Sequence, residues 1–305
     1  MRTSSVKIAL KVLLFAACMV AVDGVSGAVF GYLRSHSKGG PTQKDYYVSE
    51  TCDADILVLG SSRAEHHYVP EILDSIGGLA YNGGADGMGV VLGLGRYLLC
   101  SERHVPKILI YEVTPEFDYL DNGEDGAKSL YYLRPYYERA GIKPIFDKVS
   151  PRFEQLKMFS RMYRNSSKII GNVTDFVFAG ADNRGYVPVY GRMSDFEYKP
   201  VETANTLDSV KMELLEQLIA ETAKRGTKLY FAISPKLFPE RPKAMPPEYE
   251  PAAALARKYN VHLLNNLFTP GLSDNPSLFD DYRHLNDDGA RAYTRMVVEQ
   301  VKAGN

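Results

Sequence analysis

The stretch Asp55-Ile56-Leu57-Val58-Leu59-Gly60-Ser61-Ser62-Arg63 decides how the rest of the chain is read. Four aliphatic residues in a row, ending on glycine and two serines, describe a short strand buried on both faces and stopped by a tight turn. Comparable apolar runs recur at 79–82, 107–113 (KILIYEV), 227–233 (TKLYFAI) and 261–265. Helical patterns separate them. Pro70 opens a brief helix that Gly77-Gly78 stops, 88–100 forms the next, 207–224 is amphipathic, and 287–301 closes the chain. Strands alternating with helices predict a three-layer α/β/α sandwich around a parallel, flavodoxin-like sheet.

Upstream of that sheet, Arg2, Lys7 and Lys11 precede an almost wholly apolar or small run, 12–32, which Arg34 and Lys38 follow. A bilayer crossing needs about 20 such residues. Asp23 lies inside the run, a costly placement in hydrocarbon unless it has a partner or reaches the interface. Three readings are open: an uncleaved signal anchor with its N-terminus inside, a signal peptide cleaved after the small residues Ser26 and Ala28, or a buried helix. Either of the first two places the remaining chain outside the cytoplasm. The expected plan is an anchor or signal over 1–34, a linker over 35–50 marked by Gly39-Gly40-Pro41, and the α/β/α domain over 51–305. A mostly helical insertion over the top of the sheet, at about 117–206, interrupts that domain. Its Tyr131-Tyr132, Tyr136-Tyr137 and Arg161-Met162-Tyr163-Arg164 either pack a subdomain or stack on sugar rings.

Charge and cysteines narrow the classes further. The 36 basic and 37 acidic residues leave no cationic footprint for nucleic acid. Cys52 precedes the first strand and Cys100 ends the helix before the third, which puts both at the sheet edge opposite any site. They are a disulfide or two buried thiols.

Ligands of open parallel sheets sit beyond the carboxyl ends of the strands. The first strand presents Ser62 there. The second ends in Asn82-Gly83-Gly84-Ala85-Asp86-Gly87-Met88-Gly89, whose glycines let backbone N–H groups approach a developing oxyanion. A dinucleotide fingerprint is excluded, because Leu92 stands where its third glycine belongs. Late in the chain, Asp281-Tyr282-Arg283-His284 offers an imidazole to take the Ser62 proton and a carboxylate to orient its other nitrogen. Arg63, His67, Asn82 and Ser234 are candidate substrate contacts at the same strand ends. His66, His67 and His284 lack the carboxylate or cysteine that usual zinc spacing requires, so neither metal nor organic cofactor is expected. His36, His104 and His262 fall in the linker or near the opposite edge.

In this order the blocks resemble the SGNH (GDSL-like) hydrolases. Gly60-Ser61-Ser62 stands for the GDS block with Ser61 in place of the aspartate, a variant similar to lipoteichoic acid D-alanylation esterases and polysaccharide O-acetylation proteins. The resemblance implies Ser62 as nucleophile, and Asp281 and His284, followed by Leu285-Asn286 and Gly289-Ala290, as the closing block. Gly87, five positions after Asn82, matches the oxyanion glycine. The third block departs: where the family carries G-x-N-D, this chain reads Val113-Thr114-Pro115-Glu116-Phe117. An ionised carboxylate cannot donate, so the oxyanion site falls to the N–H groups of Ser62 and Gly87 with Thr114 beside them. The implied activity is an extracytoplasmic esterase or O-acyltransferase for acyl, chiefly acetyl, esters of a cell-surface glycan or lipid-linked sugar. The implied partners are the membrane and a multi-spanning acyltransferase. A binding or assembly protein on the same scaffold is the alternative, motivated by the missing asparagine.

Overall fold

The computed structural model describes residues 2–121, 125–193, 206–238 and 244–304. Its centre is a sheet of β1 (Ile56–Gly60), β2 (Ala80–Asn82), β3 (Ile108–Glu112), β4 (Lys228–Ile233) and β5 (His262–Asn265). All neighbours pair in parallel, in the order β2-β1-β3-β4-β5. The order reverses direction around β1, which puts the switch point, where ligands of such sheets bind, at the carboxyl ends of β1 and β3, where Gly60 pairs with Glu112. Side chains alternate across the sheet as the strand period of two requires. Leu57, Leu59, Tyr111 and Phe231 feed one core, and Ile56, Val58, Ile110 and Tyr230 the other.

The chain enters through α1 (Arg2–Ser35) and α2 (Gly40–Tyr46), which runs into a π-helical turn over Tyr47–Thr51. After β1 come α3 (Ser62–His67) and α4 (Pro70–Leu73), and α5 (Val90–Arg103) leads from β2 to β3. The excursion after β3 is dominated by short helices: α6 (Pro115–Asp118), α7 (Asp125–Leu133), α8 (Lys143–Val149), α9 (Arg152–Lys157), α10 (Arg161–Asn165) and α11 (Ile169–Phe178). The fold closes with α12 (Ser209–Arg225), α13 (Glu250–Tyr259) and α14 (Asp287–Ala303). Residues of α3, α4 and α14 join the core on one face of the sheet, and those of α5, α12 and α13 the core on the other. Local chemistry sets the long helices. Asp208 caps α12 by accepting the N–H groups of Val210 and Lys211, and Asn286 caps α14 by accepting that of Gly289.

Residues 40–51 correct the linker reading. Pro41 stands in the first turn of α2, where its missing N–H costs nothing, so Gly39-Gly40-Pro41 starts a helix instead of breaking the chain. Thr42 bonds Asp175 and Asn172 of α11. Lys44, Asp45 and Val48 are buried. The segment is therefore a packed part of the body.

Among the described residues, only α1 is long and apolar enough to cross a membrane. Residues 5–22 are exposed all round, whereas from Asp23 onward α1 packs on α10 and α11. Asp23 has the partner that its position demands: it accepts the backbone N–H of Arg161 at 2.9 Å and of Met162 at 3.1 Å, and the Ser160 hydroxyl. At the sheet edge remote from the switch point, Cys52 and Cys100 are buried free thiols with their sulfurs 2.6 Å apart.

Candidate active site

Gly60 makes the turn that carries the chain from β1 to Ser62. Its φ of +140° lies where L side chains rarely go, and a Cβ there would meet the Glu112 carbonyl oxygen at 2.6 Å. The chain then enters α3 at Ser62. The Ser62 hydroxyl lies 2.8 Å from Nε2 of His284, and Nδ1 of His284 lies 2.8 Å from Oδ2 of Asp281. The other Asp281 oxygen accepts the N–H groups of Arg283 and His284. One short loop thus folds around its own carboxylate, pinned by the bridge between Phe279 and Leu285. Burial works to raise the Asp281 pKa, but the His284 ring and the two backbone donors outweigh it, and the carboxylate is held below its ordinary range. It stays charged, as a group that stabilises an imidazolium must.

The loop after β2 is hung on both sides of Ser62. Ala85 N–H donates to the Gly60 carbonyl at 3.0 Å, and Asp86 N–H to Oε2 of Glu65 at 3.2 Å. Gly87 follows at φ +65°, half-exposed. Behind it, Lys44 reaches Glu65 at 2.5 Å and the Gly84 carbonyl at 3.1 Å, while Arg96, paired with Asp45, donates to the Gly83 carbonyl. The segment read as a linker therefore clamps the loop that carries the candidate oxyanion glycine.

Four expected contacts have other work. Asn82 is fully buried, with its amide nitrogen donating to the carbonyls of Ala64 and Tyr68 and its oxygen accepting Gly84 N–H. It fastens the end of β2 to α3 and cannot read a substrate. Arg63 points inward to Glu112, the Ser234 carbonyl and the Tyr249 hydroxyl. His67 and Ser234 are buried in one network. Leu285 N–H donates to His67 Nε2 at 2.9 Å, which leaves the proton on Nδ1 to donate to Ser234 Oγ at 2.7 Å. Ser234 Oγ in turn donates to Glu112, whose other oxygen accepts the Tyr68 hydroxyl. Burial, then the charges of Arg63 and His284, push the His67 pKa well below the ordinary imidazole range, so the ring is neutral. With both nitrogens committed, it has no lone pair for a metal.

Thr114 and Glu116 also differ from expectation. Thr114 N–H donates to Asp118, and its hydroxyl pairs with that of Ser61 at 2.7 Å, so Thr114 props the turn before Ser62. Glu116 turns its carboxylate to Arg283 at 3.0 Å, a salt bridge across the rim beside His284. The insertion contributes to that rim as well: the Val187 carbonyl faces His66 Nδ1 at 2.6 Å, and the Val189 carbonyl accepts Asp287 N–H.

Sequence reasoning missed Glu112, Tyr68, Lys44 and Glu65. Glu112 carried a readable signal, an acid at the end of the otherwise apolar β3. Lys44 and Glu65 carried none, because their pairing joins segments that only the fold brings together.

No family model matches the chain, and no curated protein matches it in sequence. Among solved structures, one similar chain is a candidate acylhydrolase from Bacteroides fragilis, 11% identical, with 87% of this chain and 97% of that chain covered at a TM-score of 0.41. The functional reading stands on the geometry of Ser62, His284 and Asp281.

Proposed function

We propose that this chain is a membrane-anchored, extracytoplasmic serine esterase or O-acyltransferase with Ser62 as nucleophile, His284 as general base and acid, and Asp281 as the group that orients the imidazole. The observation that carries the reading is the unbroken path from Ser62 Oγ through His284 to Asp281, with both links at 2.8 Å. Ser62 attacks the ester carbonyl and passes its proton to His284 Nε2. The oxyanion is met by the N–H groups of Ser62 and Gly87, and the protonated imidazole returns the proton to the departing alkoxide. Water or an acceptor hydroxyl then takes the acyl group from Ser62. The acetyl group, the glycan or lipid-linked sugar and the acyltransferase partner come from the resemblance to the GSS variant of the SGNH hydrolases.

A second reading, a weakly catalytic assembly protein, draws support from one observation: Glu116 is paired with Arg283 and the Thr114 N–H with Asp118, so neither group donates to the oxyanion. A fluorophosphonate probe separates the two. Stoichiometric labelling of wild type, abolished in Ser62→Ala, supports the enzyme; no labelling at high probe concentration supports the assembly protein.

A further inference from the structure

We propose that α9, α10 and α11 sit in the extracytoplasmic leaflet of the bilayer beside α1, so that the insertion seats the catalytic domain on the lipid surface. This rests on the reading of α1 as an anchor and adds what a single helix cannot supply, a fixed orientation of the domain.

The first argument is one of level. Measured from Lys11, the last basic residue of the N-terminal end, about 30 Å of hydrocarbon at 1.5 Å per residue extends to about residue 31. Whatever packs on α1 short of that point lies at hydrocarbon depth. Asp23 holds the start of α10 by the N–H groups of Arg161 and Met162. One turn on, α1 approaches so closely that a Cβ on Gly27 would meet the Arg161 Cβ at 2.8 Å. Tyr32, just past that point, has its ring 6.3 Å from that of Phe176, which puts α11 at the boundary between hydrocarbon and headgroups.

The second argument is the surface that these helices present. A helix on a water-soluble body turns its apolar stripe inward. Here Ile170, Val173 and Val177, spaced to share one face of α11, are exposed, whereas Asn172 is buried and, like Asp175, bonds Thr42. Phe159 is 85% exposed, Ile170 81% and Phe178 79%, and Phe153 and Leu156 also face outward. Apolar exposure on this scale marks a surface that something apolar covers. At Phe159 to Met162 it continues into α1 through an open groove of about 720 Å³ lined also by Met19, Val20 and Val22, where acyl chains would fit. Exposed Arg152 and Arg161 have stems long enough to carry their charges to phosphate headgroups. Lipid is therefore the occupant to which the chemistry points. The seat is coupled to the site: α11 holds Thr42, and two residues on Lys44 reaches Glu65 beside the nucleophile.

The chain contains no tryptophan, which gives a direct test. The full chain carries single replacements Val12→Trp, Phe159→Trp, Ile170→Trp or Tyr259→Trp and is reconstituted in phosphatidylcholine–phosphatidylglycerol vesicles, with or without bromine on the acyl chains. Tyr259 ends α13 beside β5, the sheet edge remote from β2, to which the insertion attaches through the Arg184 carbonyl. The expected result is loss of most emission in brominated vesicles for positions 12, 159 and 170, with protection from aqueous acrylamide, and the reverse for 259. If 12 is quenched by bromine while 159 and 170 behave as 259 does, the anchor stands and the seat is overturned. If 12 escapes bromine, the anchor reading fails first. If 159 and 170 are shielded from both quenchers, protein covers them and the lipid assignment is wrong.

Discussion

The rim of the sheet and the insertion sort their residues in opposite ways. Around Ser62, charged groups are buried and each has a partner: Arg63 with Glu112, Lys44 with Glu65, Arg96 with Asp45. Around α9 to α11, large apolar groups are outside and polar groups such as Asn172 are inside. Burying charge is costly unless it is fully paired, so the rim spends stability to hold a geometry. Exposing phenylalanine to water is costly without any such return, so the insertion is built for a different solvent. One region is shaped by chemistry and the other by its surroundings.

The largest expected effect tests the rim. Glu112→Ala leaves the Arg63 guanidinium buried with its carboxylate partner gone and is expected to cost about 3–5 kcal/mol in denaturant unfolding. Removal of Arg192, whose pair with Asp288 is exposed, is expected to cost under about 1 kcal/mol. Equal costs would erase the contrast.

A second effect concerns activity. His67→Ala frees the Leu285 N–H next to His284, and a misplaced base is expected to lower kcat by about 10² with little change in KM. A change in KM alone would place His67 at the substrate, as the sequence reading had it.

A third separates burial from pairing by pH. Burial raises the Asp118 pKa from 3.8 to about 7, against the hydrogen bonds from Tyr111 and Thr114. Between those values the folded chain keeps a proton that the unfolded chain has lost, so stability falls as pH rises from about 4 to 7, by up to about 1.4 kcal/mol per unit. His67, pushed down, contributes the opposite sign and is lost as pH falls. The difference between wild type and Asp118→Asn in urea midpoints across this window isolates the first slope; a flat difference contradicts it.

The smallest effect tests the insertion. Ile170→Ser removes a largely exposed apolar group and is expected to leave unfolding stability in detergent within about 0.5 kcal/mol. A loss near that of a core residue would mean that Ile170 packs against protein.

The sequence was most legible where burial is uniform. Strands such as 55–60 and 107–113 were readable because residues buried on both faces must be continuously apolar, and Asp281 and His284 could be paired because they share one short loop. Arg63, His67, Asn82 and Ser234 lie at the strand ends with their side chains on buried partners, a direction that adjacency to Ser62 does not reveal. The 40–51 segment was misread because Gly-Gly-Pro breaks a chain in isolation and starts a helix when a buried neighbour awaits it. The outward stripe of α11 was hidden for a simpler reason: apolar spacing reveals a face, never which way it looks.

Hydrolysis of an aryl acetate by wild type, Ser62→Ala, His284→Ala and the double variant tests the triad most directly. Because nucleophile and base act as one unit, each single variant is expected to lower kcat by roughly 10³–10⁶, and the double variant to be little worse than either. Wild-type turnover in Ser62→Ala, or losses that multiply in the double variant, would contradict the assignment of Ser62 and His284 as partners.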